Sequence, residues 1–102
     1  MDTALTQAQR KYLKRLANPI NATVMVGRQG VSDALLGKVE QELEAHELIK
    51  VRFLDFKDER VALTQTIIEQ TQAALVGMIG HVAILYRPCS DPDRRTITLP
   101  SA

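Results

Sequence analysis

Ala22-Thr23-Val24-Met25-Val26-Gly27-Arg28-Gln29-Gly30-Val31-Ser32 is the stretch whose reading decides the fold. Its first five residues are a short β-branched run, which reads as a strand. The strand stops at Gly27. Gly27-Arg28-Gln29-Gly30 then makes a tight loop, and Ser32 supplies an N-cap for a helix that starts directly behind it. Val31 is placed to staple onto Leu36 across that cap.

The helix behind the loop is predicted to run to about His46, with Leu35, Leu36, Val39 and Leu43 as its apolar stripe and Glu40, Glu42, Glu44 and Glu47 decorating the rest of its surface. Gly37 inside it costs up to about 1 kcal/mol against alanine, and nothing in the sequence explains it. Upstream, a first helix is expected from Thr6 to Ala17. Thr6 and Gln9 form a capping-box pattern, and Asn18-Pro19 ends the helix because proline disfavours the helical conformation in the residue before it. Leu5, Ala8, Tyr12, Leu13 and Leu16 fall on one side of its wheel. Arg10, Lys11, Lys14 and Arg15 fall on the other and form one stripe pointing away from the core.

Downstream, Leu48 to Phe53 alternates, with Ile49, Val51 and Phe53 on one face and Lys50 and Arg52 on the other, the pattern of a half-covered strand. Asp55 to Asp58 is a polar connection. A third helix, Glu59 to Thr71, is expected to bury Leu63, Ile67 and Ile68. Two strands, Ala74–Ile79 and Val82–Tyr86, are joined by Gly80-His81, and glycine first in a two-residue loop suits a type II′ turn. Pro88 and the polar run to Asp93 end the regular core, leaving Ile97 and Leu99 for a short edge strand.

The order is therefore α-β-α-β-α-β-β. Strands separated by helices imply parallel pairing through right-handed crossovers, and the terminal hairpin adds an antiparallel pair. Helices are expected to cover one sheet face, giving a two-layer α/β domain with a mixed sheet. With 102 residues, 45% hydrophobic and 25% charged, the chain is expected to form a single domain over 1–102, its core about 5–88, with 89–102 as a C-terminal extension.

One cysteine, Cys89, fits a reducing compartment and is read as inert. No apolar run approaches the roughly 18–20 residues needed to cross a bilayer. Met1-Asp2-Thr3-Ala4 lacks the charged start and apolar stretch expected of a signal peptide. The expectation is a cytoplasmic protein with no membrane partner. The net charge of +1 is unevenly spread: residues 3–32 hold five bases and no acid, whereas 33–69 hold nine acids against five bases. The like charges at 10 and 14, and at 11 and 15, repel by a few tenths of a kcal/mol. A partner anion and a merely solubilising face both account for the stripe.

The Gly27–Gly30 loop is the most informative chemical feature. Two glycines let the backbone approach a ligand, and the helix start behind them favours an anion such as phosphate. Arg28 at the tip can fork onto phosphate or stack on a base. The same device grips the nucleotide backbone in the GxxG loop of KH domains. Tyr86 and Arg87 could add stacking and phosphate binding, or be a strand tyrosine and a surface arginine. No G-x-G-x-x-G and no Walker lysine motif is present, so dinucleotide and nucleoside-triphosphate sites fit poorly. No residue is assigned as catalytic or as a metal ligand. His46 is read as a helix C-terminal residue, and Glu42 with His46 lacks further ligands for a metal.

The segments Leu13-Lys14-Arg15-Leu16-Ala17-Asn18-Pro19, Val26-Gly27-Arg28-Gln29-Gly30-Val31-Ser32, His46-Glu47-Leu48-Ile49-Lys50-Val51, Ile79-Gly80 and Leu85-Tyr86-Arg87-Pro88 together resemble the CRM domain family (chloroplast RNA splicing and ribosome maturation), in particular its free-standing bacterial YhbY-type members. The likeness runs from about residue 5 to about Leu99. It implies an α/β fold similar to the C-terminal domain of a bacterial translation initiation factor. It implies RNA binding through the GxxG loop and adjoining basic surface, and association with precursors of the large ribosomal subunit. Gly27, Arg28, Gln29 and Gly30 fall on the family's loop, and Lys50 and Arg87 on its basic strand positions. Two departures stand out: His81 where relatives carry lysine in the hairpin turn, and a chain that ends Leu99-Pro100-Ser101-Ala102 rather than in a basic tail. Lowering pH from about 8 to 6 is therefore expected to strengthen binding through His81.

The leading expectation is a non-catalytic RNA-binding assembly factor, with no cofactor and no small-molecule substrate. Its RNA contacts would be Gly27, Arg28, Gln29, Gly30, Arg10, Lys11, Lys14, Arg15, Lys50, Arg52 and Arg87. One alternative is a protein–protein adaptor using the acidic second helix. A small phosphate-ligand enzyme is disfavoured because no acid–base pair is evident.

Overall fold

The computed structural model describes residues 4–101. Its order is α1 (Gln7–Ala17), β1 (Val24–Val26), α2 (Asp33–His46), β2 (Leu48–Phe53), α3 (Arg60–Thr71), β3 (Ala74–Ile79) and β4 (Val82–Tyr86), with short 3-10 turns at Lys57–Glu59 and Pro92–Arg94. The predicted caps are present. Thr6 accepts from the Gln9 N–H and the Gln9 side chain returns to the Thr6 N–H, closing the capping box. Ser32 accepts from the Leu35 N–H at the start of α2. β1 is shorter than expected: Ala22 and Thr23 lie outside it, although the Thr23 N–H reaches the Lys50 carbonyl. The β3–β4 turn has positive φ at Gly80 and not at His81, as a type II′ turn requires.

The mixed sheet has the order β1-β2-β4-β3. β1 and β2 are parallel, joined through α2; β4 lies antiparallel between β2 and β3. The chain therefore passes through α3 to the far edge before β4 fills the gap, so β2 and β3 are not direct neighbours. The register builds transverse rows. Met25, Arg52, Val82 and Ile79 stand side by side across all four strands, and Lys50, Ile84 and Gly77 form the next row.

The helices do not all share one face, as the two-layer reading had them. Val39 and Leu43 of α2 and Ile67 of α3 are buried against Val24, Val26, Ile49, Val51, Phe53, Ala83 and Leu85. Leu13 and Ala17 of α1 are buried against Leu48, Val76, Ile84 and Tyr86. Successive residues of β2 and β4 thus feed opposite clusters, as a period of two demands. The sheet is sandwiched, with α2 and α3 below it and α1 above. An eleven-residue α1 spans about 16 Å at 1.5 Å per residue, so it covers only part of its face.

Several local expectations need correcting. Ala8 is exposed, and Ala17 is buried on α1 in its place. Thr64 and Thr71 are buried on α3 beside Ile67. Ile97 and Leu99 form no strand; they lean on the α1 side of the core as irregular chain, and the Gln9 amide donates to the Pro100 carbonyl. Glu47 is not on the helix surface. It is 2% exposed, with φ 66° at the end of α2, and its carboxylate accepts from the backbone N–H groups of Cys89, Thr96 and Ile97 and from the Thr96 hydroxyl. A buried carboxylate holding three backbone donors fixes the C-terminal segment without a strand.

A candidate nucleic-acid interface

The Gly27–Gly30 loop projects from the C-terminal end of β1. The Gly30 N–H closes it onto the Gly27 carbonyl at 3.0 Å. Its base is tied to β2, because the Val26 carbonyl accepts from the N–H groups of Leu54 and Asp55. Gly30 needs its glycine: φ is +65°, and the Phe56 ring closes the space beside it. Gly27 instead faces open space, with no atom near its would-be Cβ. Arg28 and Gln29 are exposed at the tip. Asp33 in the first turn of α2 partly offsets the positive end of that helix. The loop's attraction for an anion therefore rests on Arg28 and open backbone as much as on the helix.

A second loop shares this end of the sheet. The Phe53 N–H donates to the His81 carbonyl, which brings the β3–β4 turn beside the end of β2. Arg60 braces it, donating from Nε to the Gly80 carbonyl at 3.0 Å and from its guanidinium to the Lys57 carbonyl at 2.6 Å. Sequence reading did not single out Arg60, because only the strand order places residue 60 against residue 80.

Lys50 and Arg52 point from β2 to the α1 side of the sheet, in the region that the short helix leaves uncovered. Lys11, Lys14 and Arg15 are exposed on α1, and Arg10 is partly buried. Lys14 does not simply point away from the core as expected. A Cβ on Gly77 would come within 2.6 Å of its Cε, so its stem lies across β3. Lys14, Lys50 and Arg52 are thereby brought to one sheet face, with Arg28 on the loop beyond the end of β1. Among the described residues none of Arg10, Lys11, Lys14, Arg15, Arg28, Lys50 and Arg52 is in an ion pair.

Arg87 stands apart from this group. Its guanidinium meets Glu40 at 2.8 Å and Glu44 at 2.9 Å and donates to the Thr71 carbonyl at 2.8 Å. It locks β4 to α2 and α3. Glu44 also accepts from the Ser90 backbone and hydroxyl, and these bonds, led by the hydroxyl's, hold its carboxyl below the usual value against the cost of desolvation. Tyr86 is 6% exposed and packed under α1, so it offers no free ring for stacking. Burial, then the negative charge of Glu47, pushes its phenol above its ordinary value. Cys89 is buried. His46 closes α2 with its Nε2 3.8 Å from Glu42. Among the described residues no group of three or more His, Cys, Asp or Glu could hold a metal ion, and no helix is long and apolar enough to cross a membrane.

Known proteins resemble this chain along nearly its whole length. The chain is 37% identical over 90 residues to an RNA-binding protein of Haemophilus influenzae, covering 87% of this chain and 91% of the relative. It is 35% identical to a probable RNA-binding protein of Pseudomonas aeruginosa, covering 89% and 88%. The solution structure of a Staphylococcus aureus protein superposes with a TM-score of 0.77 at 32% identity, over 95% of this chain and 100% of the other. Residues 5–87 match the CRS1/YhbY (CRM) domain, and the chain belongs to that family.

Proposed function

We propose that this protein binds RNA without catalysing a reaction on it, using the Gly27–Gly30 loop, the α1 cations and the open sheet face, and that its target is RNA of the large ribosomal subunit in assembly. The carrying observation is electrostatic: seven cations at the loop, α1 and the sheet face lack acidic partners among the described residues, whereas Arg87 is neutralised by two glutamates. Unpaired cations and an exposed glycine loop are each complementary to phosphate. Family membership and the relatives named as RNA-binding support the same reading.

Arg28 and the loop backbone grip the phosphate chain, while Lys11 and Lys14 supply attraction and register. Such contacts read backbone and shape more than sequence. The test is binding to structured ribosomal RNA fragments across a salt series, comparing wild type with Arg28→Ala and with Lys11→Ala/Lys14→Ala. Removing two phosphate contacts flattens the slope of log K against log salt by about 1.4–1.8. Salt-independent or mutation-insensitive binding rejects the reading. Co-sedimentation with large-subunit precursors, lost in the same variants, tests the ribosomal assignment. The adaptor reading loses ground because Glu40 and Glu44 already hold Arg87, and Glu44 holds Ser90 as well.

A further inference from the structure

The uncovered part of the sheet face forms a groove of about 460 Å3, lined by Asn18, Asn21, Met25, Lys50, Arg52 and Ile79 among others. One wall is the link from α1 to β1. It is held in place by Ile20, whose N–H donates to the Ala17 carbonyl, and by the Thr23 bond to Lys50. The floor is the row Met25, Arg52, Val82, Ile79, which spans roughly 14 Å at the usual strand spacing. Met25 is 44% exposed and Ile79 is 63% exposed. Large apolar surface left open on either side of an arginine costs solvation.

Three features decide what fits. The lining contains two cations and no acid, so the occupant is anionic or carries anionic flanks. It contains flat apolar surface at Met25, Val82 and Ile79 with a guanidinium in the same row, so the occupant has an apolar, polarisable face. It contains two asparagine amides that lack hydrogen-bond partners among the described residues, so the occupant has donors and acceptors on its edge. A base in a paired stem exposes neither its face nor its pairing edge, whereas an unstacked base offers both beside its own phosphates. The volume lies within the roughly 300–1,000 Å3 usual for small-ligand clefts.

We infer that this groove is a seat for an unpaired RNA base, stacked against Arg52 and the Met25–Ile79 row, edge-bonded by Asn18 or Asn21, with its phosphate neutralised by Lys50. The inference rests on the RNA-binding reading and adds to it a substrate class: RNA with an unstacked nucleotide next to the backbone that Arg28 grips.

The probes are a stem–loop RNA, the same stem–loop with abasic loop nucleotides, and the stem alone as a blunt duplex. Abasic loops keep the phosphates and remove the bases. Wild type is expected to bind the intact loop about tenfold more tightly than the abasic one, the loss of one stacked base. Met25→Ser/Ile79→Ser is expected to abolish that preference while keeping the salt slope. Both positions are exposed, and unchanged thermal melting checks the fold. Arg28→Ala is expected to weaken intact and abasic loops alike. If wild type binds intact and abasic loops equally, or favours the blunt duplex, the base seat is wrong, while sensitivity to Arg28→Ala would still uphold RNA binding. If the double variant keeps the preference, the base is read elsewhere and the inference fails. If wild type binds none of the three, both readings fail together.

Discussion

The ring of Phe56 lies against Gly30, its Cε2 3.4 Å from where a Cβ on residue 30 would stand. Both residues have positive φ, 65° for Gly30 and 54° for Phe56. The Gly27–Gly30 loop is thus shaped from outside, by a residue that follows the neighbouring strand. Gly30→Ala is expected to destabilise the fold by about 1 kcal/mol, the cost of a left-handed alanine, read as a lower urea midpoint. Gly27 has open space and an ordinary φ. Gly27→Ala is expected to leave stability unchanged and weaken RNA binding, because its methyl would stand where a phosphate approaches. Equal effects of the two substitutions on stability would show that the loop is not shaped in this way.

Arg87 and Arg28 are expected to separate cleanly under substitution. Arg87→Ala removes the guanidinium donor from Glu40, Glu44 and the Thr71 carbonyl, and leaves Glu44 only its bonds from the Ser90 segment. Losing hydrogen bonds from a charged group of this kind costs about 1.5–3 kcal/mol. The salt slope for RNA should stay as in wild type. Arg28→Ala should do the reverse, with melting unchanged and the slope reduced. A flattened slope in Arg87→Ala, with its stability intact, would move Arg87 onto the RNA face.

Glu47 makes the tail sensitive to acid. Burial alone would raise its carboxyl, but the bonds from Cys89, Thr96 and Ile97 outweigh burial and hold it below its ordinary 4.5. A depressed carboxyl contributes stability that is fully present above its unfolded-state value and is lost as pH falls through the folded-state value. Stability should therefore decline below about pH 4.5. Glu47→Gln should flatten that decline and lower stability near neutrality, because an amide NH2 would face a backbone donor. A Glu47→Gln protein with the wild-type acid profile would assign the decline to other groups.

How much of this was legible in the sequence depended on whether the cause was local. Thr6 with Gln9, Ser32, and Gly80 in the hairpin turn act within a few residues, and their elements fall where the caps and turns put them. The alternation of Lys50 and Arg52 with Ile49 and Val51 likewise gave the two faces of β2. What escaped were relations set by strand order. Arg87 meets Glu40 and Glu44 only because β4 lies beside β2 at the end of α2, and Arg60 meets Gly80 only because the hairpin returns to β2. Glu47 read as one more surface acid because its partners lie more than forty residues away. The side chosen by α1 was hidden for the same reason. Its stripe shows that one side is buried and not which sheet face buries it.

His81 joins the hairpin to the candidate interface. Its carbonyl accepts from the Phe53 N–H at 2.8 Å, which fixes the turn at the end of β2, and its side chain is exposed. Val82 and Ile79, one and two positions away, complete the row that holds Arg52. A cation at this tip would stand near one end of the proposed base seat, within reach of a phosphate entering or leaving it. His81 keeps a negative φ, so lysine fits the turn without strain. His81→Lys is therefore expected to tighten binding to the stem–loop RNA at pH 8 and to steepen the slope of log K against log salt by about 0.7–0.9, the contribution of one added phosphate contact. Thermal melting should not change. A tighter complex with an unchanged slope would point to a contact other than phosphate, and no change in either would place the hairpin tip outside the RNA footprint, with the loop, α1 and sheet face left as its whole extent.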